Sequence, residues 1–161
     1  MRILLLSFIG IVFMFSCNSQ QKKETIKKET LKKSNKIEVF LKEKNFKILN
    51  NSNQIIEYII QNTLIEGTVD EYSNKLFLKD TLEQATVQKL VSYLILDSSY
   101  SWDDNRKEAT FTPSRQFLIK GESSRLTLLV NKDATKLGFI NLEGQKIVML
   151  SEALTNYLNS L

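Results

Sequence analysis

Residues 116–130 read Gln116-Phe117-Leu118-Ile119-Lys120-Gly121-Glu122-Ser123-Ser124-Arg125-Leu126-Thr127-Leu128-Leu129-Val130, and their pattern sets the fold. Two apolar runs of strand-forming residues flank Lys120-Gly121-Glu122-Ser123, a turn sequence. The same unit repeats downstream. Asn131-Lys132-Asp133 is a second turn, Leu137-Gly138-Phe139-Ile140 a further strand, and Asn141-Leu142-Glu143-Gly144 a third turn. Lys146-Ile147-Val148-Met149-Leu150 follows as another strand. Short strands joined by Gly, Asn and Asp turns predict an antiparallel meander. Gly121 and Gly144 suit turns, and Gly138 suits a bulge or a tight strand contact.

Outward from the meander the period changes. Ser151 can cap a last helix whose apolar face is Ala153, Leu154, Tyr157, Leu158 and Leu161. Upstream, Thr81-Leu82-Glu83-Gln84 has the form of a capping box. Val87, Leu90, Val91, Leu94 and Ile95 then follow helical spacing, and the helix is expected to stop near Asp97-Ser98-Ser99. Gln54–Gln61 is rich in β-branched residues and reads as a buried strand, with helix as the alternative. Residues 62–80 read as polar and irregular, with Gly67 and a turn at Ser73-Asn74. Ile37–Leu41 and Phe46–Leu49 suit a short helix or strands. The sum is an α+β domain, an antiparallel meander of about four or five strands with helices on one face.

Charge divides the chain elsewhere. The 161 residues carry a net +4, but seven lysines and two glutamates between Asn18 and Lys36 supply +5. From Ile37 onward 14 basic and 16 acidic residues remain. Basicity therefore belongs to a tether and not to the domain, which argues against nucleic acid as a partner. Within the tether Lys22-Lys23-Glu24-Thr25-Ile26 repeats as Lys27-Lys28-Glu29-Thr30-Leu31. Steps of five place Ile26 and Leu31 on different helix faces, so a flexible, charged spacer is expected, its lysines suited to anionic headgroups.

Before the tether, Met1-Arg2 is a basic start, residues 3–15 are almost wholly apolar, and Ser16-Cys17 precedes polar Asn18-Ser19-Gln20-Gln21. That is the layout of an export signal. Met14-Phe15-Ser16-Cys17 resembles the box of bacterial lipoproteins, with Met14 standing for Leu and Phe15 bulkier than usual. The resemblance implies a signal peptide over 1–16, acylation of Cys17, a tether over 17–36 and a globular domain over 37–161. It implies a lipid-anchored protein of the cell membrane or outer membrane, periplasmic or surface-exposed. Asn18 in place of Asp favours the outer membrane. Cys17 is the chain's single cysteine, so no internal disulfide can form.

Little in the domain carries chemistry. Histidine is absent, which removes the usual triads and most catalytic zinc sites. Trp102-Asp103-Asp104-Asn105 is the best polar group, and with Tyr100 it forms a candidate ligand site. A packed Trp102 beside an exposed acidic loop is the plainer use. The acids lack the spacing of a calcium loop, so no metal is expected. Tyr93, Tyr100, Phe111, Phe117, Phe139 and Tyr157 suit a core better than a pocket. Asp97, Tyr100, Phe111-Thr112-Pro113, Phe117-Leu118-Ile119 and Leu126–Val130 faintly resemble small uncharacterised exported proteins, a likeness that implies fold and not function. Those proteins often carry cysteines near the Phe-Pro unit, where this chain has none. The expectation is a non-catalytic, membrane-anchored envelope protein without cofactors whose domain contacts an envelope protein, as inhibitor, immunity-like factor or accessory. The alternatives are a tethered binder of a small ligand and, less favoured, a carboxylate-based hydrolase.

Overall fold

The alternation read in residues 116–150 becomes four antiparallel strands in a row. A computed structural model describes residues 35–103, 110–141 and 144–161. The elements are α1 (Lys36–Asn50), β1 (Gln54–Leu64), β2 (Tyr72–Thr81), α2 (Gln84–Leu94), a 3-10 turn (Asp97–Ser99) and β3 (Tyr100–Ser101). They continue as β4 (Pro113–Lys120), β5 (Arg125–Asn131), β6 (Lys136–Asn141), β7 (Gly144–Leu150) and α3 (Glu152–Asn159). One sheet of seven strands has the order β2-β1-β4-β5-β6-β7-β3, and every pairing is antiparallel. The fold is α+β with a meander-like sheet. The expected four or five strands are too few, because β2 and β3 escape a reading based on apolar alternation.

The inner face of the sheet follows from register. Ile55 lies beside Ile119 and Leu126, Phe117 beside Leu128 and Phe139, and Val130 beside Leu137 and Val148. Ile37, Leu41, Ile48 and Leu49 of α1, Val87, Leu90, Val91 and Leu94 of α2, and Leu154 and Leu158 of α3 join these in one core. All three helices therefore cover the same face. Each fully buried aliphatic or Phe side chain contributes about 1.5–3 kcal/mol, which makes this layer the main source of stability.

The helix ends are set by specific acceptors. Ser151 caps α3 as its sequence predicts, its side chain accepting from the Leu154 N–H. The expected box at Thr81 does not form. Thr81 is the last residue of β2, and Glu83, which precedes α2, makes no side-chain cap. Helix α2 ends at Leu94, short of Asp97–Ser99, and Asp97 serves α1 instead. Its carboxylate accepts from Ile37 N–H at 2.8 Å and Lys36 N–H at 3.0 Å, capping a helix sixty residues upstream. Asn35 adds a bond from Nδ2 to the Ile95 carbonyl at 2.9 Å. Residues 37–41 and 46–49 are thus helix, bent at Lys42, whose φ of 66° and ψ of 153° break the helical run. Asn45 Nδ2 donates to the Leu41 carbonyl at 2.8 Å beside that break.

Residues 62–80 are ordered as a hairpin. Ser73 and Asn74, read as a turn, pair with Thr63 and Asn62 inside strands. The actual turn lies between Leu64 and Tyr72, closed by Ile65 N–H to Glu71 O at 2.8 Å. β2 is an edge strand exposed along nearly its whole length, so nothing requires it to alternate.

Candidate functional site

Among the described residues, no helix covers the other face of the sheet. Register places Leu78, Tyr58, Gln116, Leu129, Gly138 and Ile147 in one row across six strands of that outer face. Ile60 with Leu76, and Ile56 with Leu118, extend the row on either side. Tyr58, Ile56, Ile60, Leu118, Leu129 and Ile147 are each partly exposed. Among the described residues, Phe111 lies across this face at Gly138. A Cβ at Gly138 would sit 3.0 Å from the Phe111 ring and 2.8 Å from Gln145 Nε2, so the glycine admits the ring. The tight contact expected there is present. The face is mixed, with Gln116 and Thr127 among the apolar side chains and Phe111 over Gly138, and partly exposed apolar side chains on a sheet are of the kind that proteins use to meet other proteins.

The patch runs to the sheet edge. Leu76, Phe77 and Leu78 of β2 are 50%, 42% and 66% exposed. β1 pairs with β4 only from Gln54 to Ile59, whereas its pairing with β2 continues to Leu64. Residues 60–64 and 72–76 therefore project beyond β4 as an arm, with Leu64, Ile65, Val69 and Tyr72 also exposed. The outer edge of β2 offers backbone donors and acceptors to an added strand.

The arm is tied to the core by a buried ion cluster. Glu57 is 1% exposed, and its carboxylate meets Lys79 Nζ at 3.2 Å and Arg115 Nη1 at 3.5 Å. Arg115 Nη1 also donates to the Leu158 carbonyl at 2.8 Å, and Lys79 Nζ to Leu161 O at 3.1 Å. The cluster joins β1, β2, β4 and the end of α3, and two cations saturate the one carboxylate. This is the chemistry of a clamp.

Of the residues singled out from sequence, Tyr100, Trp102 and Asp103 are among those described. Tyr100 is buried, donates from its hydroxyl to the Leu94 carbonyl at 2.6 Å and packs against Phe139. Burial and then the nearby Asp97 push its phenol pKa up. Trp102 donates from Nε1 to the Asp97 carbonyl at 2.9 Å, with its ring against Phe40 and Tyr100. Asp103 is exposed beyond β3. Asp104 and Cys17 lie outside the described residues. Of the wider aromatic set, Phe117 and Phe139 are core, and Tyr93 stacks on Tyr157 at 4.8 Å. Burial and Tyr93 raise the Tyr157 phenol.

A concavity lies between α1 and the β4–β5 turn. It measures about 720 Å³ and is lined by Lys42, Lys44, Asn45, Arg125, Thr127 and Asn141, among others. Its charge is cationic. Nearby Lys47 is paired with Glu43 at 2.6 Å, a contact that lowers the glutamate pKa and raises that of the lysine. Among the described residues no three His, Cys, Asp or Glu side chains gather to hold a metal ion, and no helix is long and apolar enough to cross a membrane.

Sequence reasoning missed the edge of β2, having read residues 62–80 as irregular. The available signal was Leu76-Phe77-Leu78 between two lysines, an apolar triplet with strand propensity. Compared with family models, curated proteins and solved structures, the chain matches none.

Proposed function

We propose that this chain is a lipid-anchored envelope protein whose α+β domain binds another protein and performs no catalysis. The anchor is acylated Cys17, and the Lys-rich stretch over 17–36 is the spacer. The observation that carries the reading is the set of partly exposed apolar side chains on the outer face, over which none of the described helices lies, together with exposed Leu76, Phe77 and Leu78 on the edge strand β2. An inhibitor, an immunity-like protector and an assembly accessory all need such a surface. The domain is slightly acidic in net charge, which argues against nucleic acid as the partner.

The test is a crosslinked pull-down of tagged full-length protein from its own envelope, with Cys17→Ala and Leu129→Lys as comparisons. A near-stoichiometric partner, lost when either the anchor or the outer face is altered, is the expected result. Recovery of the same proteins from all three forms, or of none, defeats the reading.

The cationic cleft favours a second reading, a tethered binder of a small anionic ligand. Its volume suits such a molecule, and Lys44 and Arg125 supply charge beside the hydroxyl of Thr127. Titration calorimetry with a panel of small phosphorylated and carboxylated compounds separates the two readings. Saturable heat abolished by Arg125→Ala supports the cleft, and no heat from any compound removes it.

A further inference from the structure

We propose that β2 pairs antiparallel with β2 of a second copy of this chain, around a twofold axis at Phe77. The inference rests on the protein-interaction reading and names the partner of one part of that surface. Its basis is the strand's own sequence. Lys75-Leu76-Phe77-Leu78-Lys79 reads the same in both directions, and Ser73-Asn74 on one side matches Asp80-Thr81 on the other in kind. An antiparallel twofold pair presents a strand to its own reverse, so a palindromic edge meets identical chemistry.

The backbone faces the right way. In an antiparallel ladder hydrogen-bonded and non-bonded pairs alternate. Ile65 N–H bonds to Glu71 O, and Thr63 Oγ1 reaches Ser73 O at 3.3 Å, which sets the phase of the β1–β2 ladder. Odd-numbered residues of β2 from 73 to 77 then turn their N–H and C=O groups to β1. Tyr72, Asn74, Leu76 and Leu78 turn theirs outward. Centred on Phe77, the pairing sets Leu76 opposite Leu78 of the second copy, so the outward groups bond each other. The two Phe77 side chains meet on the axis. Three side chains now about half exposed become covered, and the two outer faces join into one.

One contact opposes the pairing. Lys75 lies opposite Lys79 of the second copy, on the inner side. Lys79 is already engaged by the buried Glu57 carboxylate at 3.2 Å, which lessens the repulsion. The extra residue in the ladder between Glu57 and Tyr58 falls at Lys79 and bends the strand there, so the pairing is short and the association weak. The symmetry suits two chains on one surface. A twofold axis perpendicular to the sheet keeps both helical layers on the same side, and each chain enters its helical layer at Asn35.

The test uses the full chain in its own membranes, oxidised after Phe77→Cys. Opposite residues of a non-bonded antiparallel pair have Cα atoms about 4.5 Å apart, within disulfide reach. The expected product is a disulfide-linked species of twice the chain mass. The parent chain and a Val69→Cys control, at a hairpin-loop site 92% exposed, should not give it. Adding Leu76→Lys and Leu78→Lys should abolish the product. Adding Lys75→Glu places opposite charges across both pairs, and the yield should rise about threefold or more at limiting protein density. No doubled species from Phe77→Cys overturns the proposal, as does an equal yield from Val69→Cys or a yield that Lys75→Glu lowers. A Phe77→Cys link to a different protein also overturns the second copy, and leaves the interaction reading intact. If the pull-down returns nothing as well, both fall.

Discussion

Strands β2 and β5 draw on the same kinds of residue and meet opposite fates. In β5, Leu126, Leu128 and Val130 are fully buried, while in β2, Leu76, Phe77 and Leu78 stand about half exposed. Nothing in the side chains accounts for this. β5 has a strand on each side and helices over one face, whereas β2 has one neighbour and projects in part beyond β4. An apolar residue is buried by what surrounds it, so leucines are core in one strand and half exposed in the other. Apolar side chains left on a long open edge invite pairing.

That contrast can be broken most directly with paired truncations. Phe117→Ala, on the inner face, should cost about 3–5 kcal/mol in unfolding free energy. Phe77→Ala should cost under about 1 kcal/mol, as surface changes do. Urea midpoints of the two variants decide the matter, and equal losses would mean that the edge is as structural as the core. The clamp sharpens the comparison next. Glu57→Gln leaves Arg115 buried beside a neutral amide and should cost about 3 kcal/mol. Because Lys79 and the end of α3 share that carboxylate, hydrogen exchange should quicken in β2 and α3 more than in β5 and β6.

A small effect is also expected at the far edge, at Tyr100. Tyr100→Phe loses the bond to the Leu94 carbonyl and should cost about 1 kcal/mol at neutral pH. Its pH dependence is more telling. The folded phenol pKa is raised by burial and by Asp97, so the folded chain keeps a proton that the unfolded chain releases above about pH 10. The unfolded state then binds fewer protons, and stability falls as pH rises beyond that value. The Tyr100→Phe variant should show a flatter alkaline limb in thermal melts, and an unchanged limb would place the titration elsewhere.

How far the sequence could be read follows the same division. The meander was legible because Gly, Asn and Asp turns punctuate it and because its strands are rich in strand-forming apolar residues, with burial alternating along β4 and β5. The cap of α3 was legible because Ser151 lies next to the helix it serves. β2 was not, since an edge strand exposed on both faces carries no alternation and Ser73-Asn74 mimics a turn. Thr81 imitated a capping box without opening a helix. Helix α1 stayed ambiguous because its cap lies sixty residues away. At the candidate site, the placement of Tyr100 and Trp102 was settled by packing partners such as Phe40 and Phe139, which sequence spacing does not reveal. The outer face needed strand order, and strand order is a long-range property.

The distant cap on α1 also bears on the sequence of events in a growing chain. Synthesis runs from the first residue, so Lys36–Asn50 emerges well before Asp97. Until that carboxylate arrives, the N–H groups of Lys36 and Ile37 have only water to bond, and the opening turn of α1 frays. The first of the described helices is therefore among the last to be completed, and its beginning stays loose until α2 has been made and laid beside it.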